Sequence, residues 1–419
     1  MARLGAFCFP GSGHINPMAA LAHALDRRGH SVVIFGIADV ESRVRAAGVE
    51  FHQIGAADYP LGTLKALDER LGELHGLASF HFTVERVKNT ARMILRDGPA
   101  AVRAAGVDAL LVDEADMGGT VAEHLRLPFI SIAMFPPLIQ SNRIPPFCFN
   151  WPAGQDIVSR LRNQGGMRLL SWIAAPIFNL VNAQRKEWGL KRLARSTDAL
   201  SRLAQIAQLP EALEFDYSPR PEILHYTGPF VNPSRRPPVE FPWKRLDSRP
   251  LVYASLGTLQ NGSESAFRTI AEACCELPVQ LVISLGGGLE PARLGVLPGN
   301  PVVVAYAPQL EILKHAAAVI THAGLNTVLE SLAKGVPLVA VPIGNDQPGV
   351  AARVKARGAG VAIPFRKLNP AQLRLAVRRV IEDPSYRSSA QELSLRIRQI
   401  DGPAMAAGII ERTLKLAGG

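Results

Sequence analysis

Apolar and polar positions along the first third of the chain follow the spacing of strands and helices in turn. Apolar runs typical of buried strands occupy residues 4–9, 31–35 and 50–54. Helical spacing fills residues 16–29 and 39–47, and the first of these segments opens with Asn16 and Pro17, a favourable N-cap and first helical residue. The order strand, helix, strand, helix, strand predicts a parallel α/β sheet.

The same alternation restarts near residue 251. We expect strands at residues 251–255, 280–285, 302–305, 318–321 and 338–341. We expect helices after Ser263 and at residues 324–334, 370–382 and 386–416. Between the two halves, residues 226–250 concentrate proline, glycine and charge, which is typical of an interdomain linker. Two similar α/β halves are therefore predicted.

The loop after the first predicted strand contains Gly11, Gly13 and His14. It lacks the third glycine of a dinucleotide fingerprint, and no Gly-Lys-Ser/Thr follows as in a P-loop. Open α/β sheets bind ligands at the carboxyl ends of their strands, where His14 would lie. We hypothesise that His14 is a general base, kept neutral by the helix N-terminus beside it.

A carboxylate near His14 would fix the ring's tautomer and stabilise it as a proton arrives. The best candidate is Asp113, which follows the apolar run 109–112. Glu114 and Asp116 are close alternatives, and Asp113 alternatively caps the next helix.

The richest set of polar side chains lies between residues 306 and 347. His322 and the first amides of the helix at 324–334 suit a diphosphate, because a helix start has unpaired N–H groups and partial positive charge. Asn326 and Glu330 share one helix face, where a carboxylate can accept hydrogen bonds from both ribose hydroxyls.

Further polar residues are expected to face the same cleft. Asp346 and Gln347 follow the strand at 338–341, where they can meet sugar hydroxyls. The loops at 255–258 and 284–288 each follow a predicted strand, and their glycines let backbone approach a ligand without a Cβ in the way.

These motifs resemble the nucleotide-sugar site of family 1 glycosyltransferases. The resemblance implies a GT-B fold, α/β with two facing Rossmann-like domains, the acceptor on the first and the donor on the second. It implies an acceptor-binding domain at 1–225, a linker at 226–250, a nucleotide-sugar domain at 251–400 and a C-terminal helix at 401–419 that packs back onto the first domain.

The resemblance also implies roles for single residues. His14 paired with Asp113 would deprotonate the acceptor, His322 would contact the diphosphate, and Tyr306 takes a position that is often a tryptophan stacked on uracil. The implied donor-binding residues are Gly13, Ser255, Gly257, Thr258, Ser284, Tyr306, Ala307, Gln309, His322, Gly324, Asn326, Thr327, Glu330, Asp346 and Gln347.

Composition agrees with a globular enzyme: 47% of the 419 residues are apolar and 20% are charged. No apolar run is long enough to span a bilayer, and the first residues are typical of a strand rather than a signal peptide. The four cysteines show no metal spacing. We expect a cytoplasmic protein without metal or cofactor, which uses a UDP-sugar as co-substrate.

The net charge of +10 raises the question whether the protein binds nucleic acid. The basic residues are spread over helical segments such as 185–195 and 374–379, and no aromatic-basic RNA motif occurs. Solvated helix faces and attraction to a diphosphate are the favoured explanation. Peripheral contact with an anionic membrane stays open, as does the choice between monomer and homodimer.

Large apolar side chains cluster in the otherwise aromatic-poor segment between 135 and 188. We expect residues 135–138 and 145–151, with Trp172, Phe178 and Trp188, to supply a hydrophobic acceptor pocket. Resemblance to the zeaxanthin glucosyltransferase branch implies a lipophilic alcohol.

The sequence thus predicts inverting, metal-independent transfer of a sugar, with glucose favoured, from a UDP-sugar to an acceptor hydroxyl. Three alternatives remain: a lipid-intermediate glycosyltransferase, a UDP-sugar 2-epimerase and a nucleotide-sugar sensor. The first shares Arg28-Gly29-His30 but has a different donor motif. The second would yield a new UDP-sugar without an acceptor, and the third would turn nothing over.

Overall fold

A computed structural model describes residues 1–74, 76–232, 236, 238–258 and 263–416. Within these residues the strands form two sheets in which every pairing is parallel. Helices cover the sheets, so the strands are buried on both faces and consist of nearly continuous apolar residues.

The first sheet has seven strands in the order β3-β2-β1-β4-β5-β6-β7. Its strands are β1 (Arg3–Phe7), β2 (Ser31–Gly36), β3 (Glu50–Gln53), β4 (Ala109–Asp113), β5 (Phe129–Ala133), β6 (Gln205–Ala207) and β7 (Leu224–Tyr226). Its helices are α1 (Ser12–Asp26), α2 (Ala38–Ala46), α3 (Thr63–Glu73), α4 (Gly76–Ala105), α5 (Gly118–Leu125), α6 (Ile157–Ile173) and α7 (Ala175–Glu187).

The second sheet has six strands in the order β10-β9-β8-β11-β12-β13. Its strands are β8 (Leu251–Ser255), β9 (Gln280–Ser284), β10 (Val302–Val304), β11 (Ala316–Thr321), β12 (Leu338–Ala340) and β13 (Gly360–Ala362). The later helices are α8 (Glu264–Cys274), α9 (Gln309–Ile312), α10 (Leu325–Ala333), α11 (Gln347–Ala356), α12 (Pro370–Glu382), α13 (Pro384–Arg398) and α14 (Gly402–Leu414).

In each sheet the strand order reverses at one point, and the loops at that point form the natural ligand crevice. In the first sheet β1 lies beside β4, with Phe7 level with Val112, so the loop after β1 starts next to Asp113. In the second sheet β8 lies beside β11, with Ser255 level with Thr321. His322 therefore lies next to the loop that follows Ser255.

The predicted strands are confirmed to within two residues, but two helix predictions are wrong. Helix α1 begins at Ser12 with Gly11 as N-cap, so Pro17 lies inside the helix rather than at its first position. A proline has no N–H, and the carbonyl of Gly13 four residues earlier is therefore left without a helical partner.

The single helix expected at 386–416 is two helices. Asp401 caps α14 by accepting a hydrogen bond of 3.0 Å from the Ala404 amide, and Pro403 occupies the first turn. An acidic N-cap followed by proline is a helix start, and this signal was missed.

Helix α14 packs against helix α1 of the first sheet. Arg28 donates to Glu411 at 2.6 Å, and His30 contacts the same carboxylate at 3.1 Å. The Arg28-Gly29-His30 segment thus anchors the C-terminal helix.

A buried ion pair also joins the two halves. Arg353 of α11 contacts Glu214 at 2.8 and 3.1 Å, and both side chains are almost fully buried. The bounds 1–225, 226–250, 251–400 and 401–419 stay predictions, and residues 233–235, 237 and 417–419 lie outside the described part.

Several basic residues depart from the expected solvated faces, among them Arg86, Arg185 and Arg353. Arg185 is buried and donates to Glu123 at 2.7 Å, to Thr120 at 3.2 Å and to the Lys191 carbonyl at 2.6 Å. Part of the positive charge is therefore structural.

Candidate active site

His14 and Asp113 form a short hydrogen bond at the end of the first sheet. His14 Nδ1 lies 2.6 Å from Asp113 Oδ2, and the carboxylate is fully buried while the ring keeps 21% of its side-chain surface. Asp113 also accepts from the amides of Phe9 at 3.3 Å and Ala115 at 3.0 Å. Because Nδ1 donates to the carboxylate, Nε2 is the basic nitrogen of the neutral ring.

The pKa of His14 is raised, which differs from the expectation that the helix start keeps the ring neutral. Burial opposes the charged ring, but the charge and hydrogen bond of Asp113 favour it, with help from the charges of Asp346 and Asp116. The nearby carboxylates therefore outweigh burial in setting the pKa of His14.

The two alternative carboxylates are buried beside the pair but do not bond to His14. Glu114 accepts from the Leu138 amide at 2.8 Å, and burial raises the pKa of Glu114 to about 8. Burial and the charge of Asp113 also raise the pKa of Asp116. One oxygen of Asp116 is buried with no hydrogen-bond partner.

His322 lies between two glycines at the start of α10. A Cβ on either Gly257 or Gly324 would come within 2.5 Å of its ring, so only glycine fits at both positions. Removal from solvent lowers the pKa of His322 to about 4, which keeps the ring neutral at physiological pH. Gly324 is the N-cap and provides no side-chain cap, so the first amides of α10 stay available to a ligand.

Glu330 is buried one turn further along α10 and is held from two sides. Gln309 Nε2 donates to it at 2.7 Å, and Tyr253 in turn donates to Gln309 Oε1 at 3.1 Å. Arg236 forms an ion pair with both oxygens of Glu330. No sequence signal pointed to Arg236, which belongs to the predicted linker.

Asn326 is shared between the two halves of the cleft. Its Nδ2 donates to the Gly13 carbonyl at 2.9 Å, and its Oδ1 accepts from Gln208 at 3.0 Å. A further cross-cleft bond joins Ser12 Oγ and Thr258 Oγ1 at 2.6 Å. These bonds bring the start of α1 against the start of α10.

Asp346 and Gln347 lie in the same cleft, at the start of α11. Gln347 Oε1 accepts from the amides of Ile343 at 2.8 Å and Gly344 at 3.1 Å, so it also shapes its own loop. Burial raises the pKa of Asp346, and its charge acts on His14. Asn345 adds a buried Oδ1 without a hydrogen-bond partner.

Tyr306 is half exposed at the rim, and its hydroxyl crosses over Gly287, where a Cβ would lie 1.9 Å from it. Gly287 therefore makes room for Tyr306. The remaining predicted donor residues, Ala307, Thr327, Ser255 and Ser284, also line the cleft.

One continuous cleft of about 2320 Å³ contains all fifteen predicted donor-binding residues and His14. Ligand pockets are roughly 300–1,000 Å³, so this cleft has room for two ligands. Its first-domain part contains a group of apolar side chains, Val84, Met117, Phe135, Ile139, Phe147, Met167, Leu170 and Phe178. Charged side chains such as Asp39, Lys65 and Arg86 also line this part.

Four of the aromatic residues expected in the acceptor pocket lie outside the cleft: Phe149, Trp151, Trp172 and Trp188. Trp151 stacks on Phe149 at 4.1 Å, Trp188 stacks on His124 at 4.1 Å, and Trp172 is exposed. Phe135, Phe147 and Phe178 do line the cleft. Within the described ranges, no group of three His, Cys, Asp or Glu side chains could hold a metal ion, and no helix is long and apolar enough to cross a membrane.

Solved structures share this architecture over the whole chain. The glycotransferase of kitacinnamycin aligns with a TM-score of 0.75 at 23% identity, covering 98% of both chains. The calicheamicin glycosyltransferase aligns with a TM-score of 0.74 at 24% identity, covering 99% of this chain and 98% of the other. The fold is GT-B, as expected.

Family models and curated relatives agree with that class. The model for UDP-glucoronosyl and UDP-glucosyl transferase matches residues 100–403, and the glycosyltransferase family 28 N-terminal domain matches residues 11–140. The chain belongs to the UDP-glucoronosyl and UDP-glucosyl transferase family, and it is a family 1 glycosyltransferase.

Curated relatives match along nearly their entire length. Zeaxanthin glucosyltransferase of Pseudescherichia vulneris is 30% identical, covering 96% of this chain and 95% of the relative. That of Pantoea ananas is 28% identical, covering 99% and 96%. The 4'-demethylrebeccamycin synthase of Lentzea aerocolonigenes is 29% identical, covering 96% and 97%.

Proposed function

We propose that this enzyme transfers glucose from a UDP-sugar to a hydroxyl of a hydrophobic small molecule, with inversion at the anomeric carbon and without a metal. The observation that carries the proposal is the 2.6 Å bond between His14 and Asp113, which lies between the apolar half of the cleft and the start of α10. A general base at this position would face both substrates.

The donor would lie along the second sheet's switch point. The diphosphate would accept hydrogen bonds from the first amides of α10, with His322 beside it. The ribose would contact Glu330, and the nucleobase would pack against Tyr306 and Ala307. The sugar would face Asp346, Gln347 and Asn345. The charge of Asp346 acts on His14, so these residues lie near the catalytic base.

The chemical step is a single displacement. His14 Nε2 removes the proton of the acceptor hydroxyl while its oxygen forms a bond to the anomeric carbon. The bond from that carbon to the diphosphate oxygen breaks on the opposite face, and its electron pair leaves with UDP. The helix amides stabilise the developing charge, so no metal is needed for this task. Asp113 stabilises the charged ring until the proton passes to water.

The acceptor class follows from the cleft and from relatives. Phe135, Phe147 and Phe178 line the first-domain side of the cleft together with other apolar side chains. Two relatives are named zeaxanthin glucosyltransferases and one a demethylrebeccamycin synthase, names that indicate large hydrophobic acceptors. We therefore favour a lipophilic alcohol or phenol.

The test incubates purified protein with UDP-glucose, phenolic, macrolide and carotenoid alcohols, and EDTA. We expect a hexose mass shift on at least one acceptor and none with His14→Ala. Parallel incubations with TDP-glucose identify the preferred base, and the anomeric configuration of the product reports inversion. Loss of activity in EDTA with restoration by Mg²⁺ would contradict metal independence.

Two other outcomes would replace the proposal. A new UDP-sugar formed without acceptor would indicate a 2-epimerase. Tight donor binding with no turnover across the panel would favour a sensor.

A further inference from the structure

The outer face of α6 is apolar and exposed. Five large side chains occupy it: Ile157 (75% exposed), Val158 (75%), Leu161 (63%), Leu169 (47%) and Trp172 (74%). Their spacing places them on one side of the helix, while the opposite side buries Asn163 and Gly166. A lone exposed leucine is ordinary, but a stripe of this size on one helix is typical of an interaction surface.

The charges on α6 itself have one sign, and its N-cap Asp156 adds one exposed carboxylate beside Ile157. Helix α6 contains Arg160, Arg162 and Arg168 and no aspartate or glutamate. The ion pairs of the described residues include none of the three arginines. Arg162 instead donates to the Pro152 carbonyl at 2.6 Å and lies over Trp151. Arg160 is partly buried, and Arg168 is exposed at the mouth of the cleft. A cationic rim beside an apolar stripe fits a partner that is anionic at its surface and apolar beneath.

The inner side of the same helix forms part of the cleft. Met167 and Leu170 line the cavity, together with Ser171. Asn163 fixes the helix to the wall by donating to the Asn142 carbonyl at 3.0 Å. Helix α6 therefore separates the apolar side chains of the cleft from the exposed stripe.

We propose that α6 docks the enzyme on an anionic lipid bilayer. The stripe from Ile157 to Trp172 enters the interface, the arginines bind lipid phosphates, and a lipophilic acceptor passes from the bilayer into the cleft beside Met167 and Leu170. The passage of acceptor rests on the proposed function, whereas the docking does not.

The test of docking is co-sedimentation with vesicles of phosphatidylcholine containing phosphatidylglycerol, against vesicles of phosphatidylcholine alone. We expect binding to the anionic vesicles that falls as salt rises. The double variant L161Q/W172Q should bind roughly 10-fold or more weakly, because two interfacial anchors are lost. The matched control L375Q/L395Q alters two leucines on α12 and α13 with similar exposure, 63% and 57%, and should bind as the wild type does.

Three results would overturn the proposal. The first is absence of binding to anionic vesicles, and the second is equal loss of binding in both double variants. The third is a wild-type dimer that L161Q/W172Q converts to a monomer in sedimentation equilibrium without any vesicle binding, since the stripe would then be an interface between copies.

A second measurement separates docking from catalysis. Transfer to a water-soluble phenol without vesicles should be the same in wild type, L161Q/W172Q and L375Q/L395Q. Transfer to an alcohol dissolved in anionic vesicles should fall only in L161Q/W172Q. If no acceptor is glycosylated by the wild type, the proposed reaction fails, while the vesicle binding still decides whether α6 docks.

Discussion

Asn326 Nδ2 donates a 2.9 Å hydrogen bond to the Gly13 carbonyl and so joins the starts of α1 and α10. That carbonyl is available because Pro17, four residues later, has no N–H to offer it. The proline inside α1 therefore frees an acceptor for the second half of the molecule. The base and the diphosphate site are held in register by this bond.

Replacing Asn326 with alanine should weaken that alignment. Asn326→Ala removes the bonds to Gly13 and Gln208, and we expect the KM values of both substrates to rise and stability to fall by about 1–3 kcal/mol. Steady-state kinetics and urea unfolding measure the two effects. Gln208→Ala removes one of the bonds and should give a smaller change in the same direction; a rise in donor KM alone would indicate a purely ligand-binding role.

Removing the proposed base should separate chemistry from binding. His14→Ala should lower kcat by roughly 10²–10⁴-fold while the donor Kd stays within a few fold, because general-base catalysis acts on the acceptor proton. Product formation by mass spectrometry and donor binding by calorimetry test this. His81→Ala, on the exposed face of α4, is the matched control. Loss of donor binding in His14→Ala would place His14 in the donor site instead.

The pH profile should report the His14 pKa. Neutral His14 is the active base, so kcat/KM should rise with pH, and the midpoint should lie above the ordinary histidine value of about 6.5 because Asp113 raises this pKa. In Asp113→Asn the midpoint should move down in pH, since burial then dominates, and the plateau should fall roughly 10- to 1000-fold. An unchanged midpoint would show that another group titrates.

Glu330 should act on the donor. Glu330→Gln should raise the donor KM roughly 10- to 150-fold if about 1.5–3 kcal/mol of charged hydrogen bonding is lost, with little change in kcat. Acceptor KM serves as the internal comparison. An unchanged donor KM would mean that Glu330 serves only to hold Arg236 and Gln309.

The buried Glu214–Arg353 pair should matter for stability. Glu214→Ala leaves Arg353 buried without a partner and should cost about 3–5 kcal/mol. Asp216→Ala breaks the exposed pair with Arg357 and should cost less than about 1 kcal/mol. Thermal and urea unfolding compare the two variants, and similar losses would contradict the difference in burial.

Local sequence was sufficient to predict much of the fold and of the candidate site. Apolar runs located nine of the thirteen strands in the described residues, and β5, β6, β7 and β13 were not predicted. The loops after the predicted strands placed His14, Asp113 and His322 at two switch points, because strand order alone brings these loops together. Arg236 and Gln208 could not be predicted, since their partners Glu330 and Asn326 are about a hundred residues away and no spacing relates them. The predicted start of α1 is wrong because proline favours the first helical position, whereas Pro17 lies inside this helix.

Helix α14 also bears on the order in which the molecule is completed. Its residues Ala406 and Ile410 share one core with Leu21 of α1, and Glu411 holds Arg28 and His30. The N-terminal half thus leaves the ribosome before the C-terminal half, but its core is completed only when α14 packs against it. A fragment ending before residue 402 would expose that core, so dividing the chain at the linker should yield an aggregation-prone N-terminal half unless α14 is supplied separately.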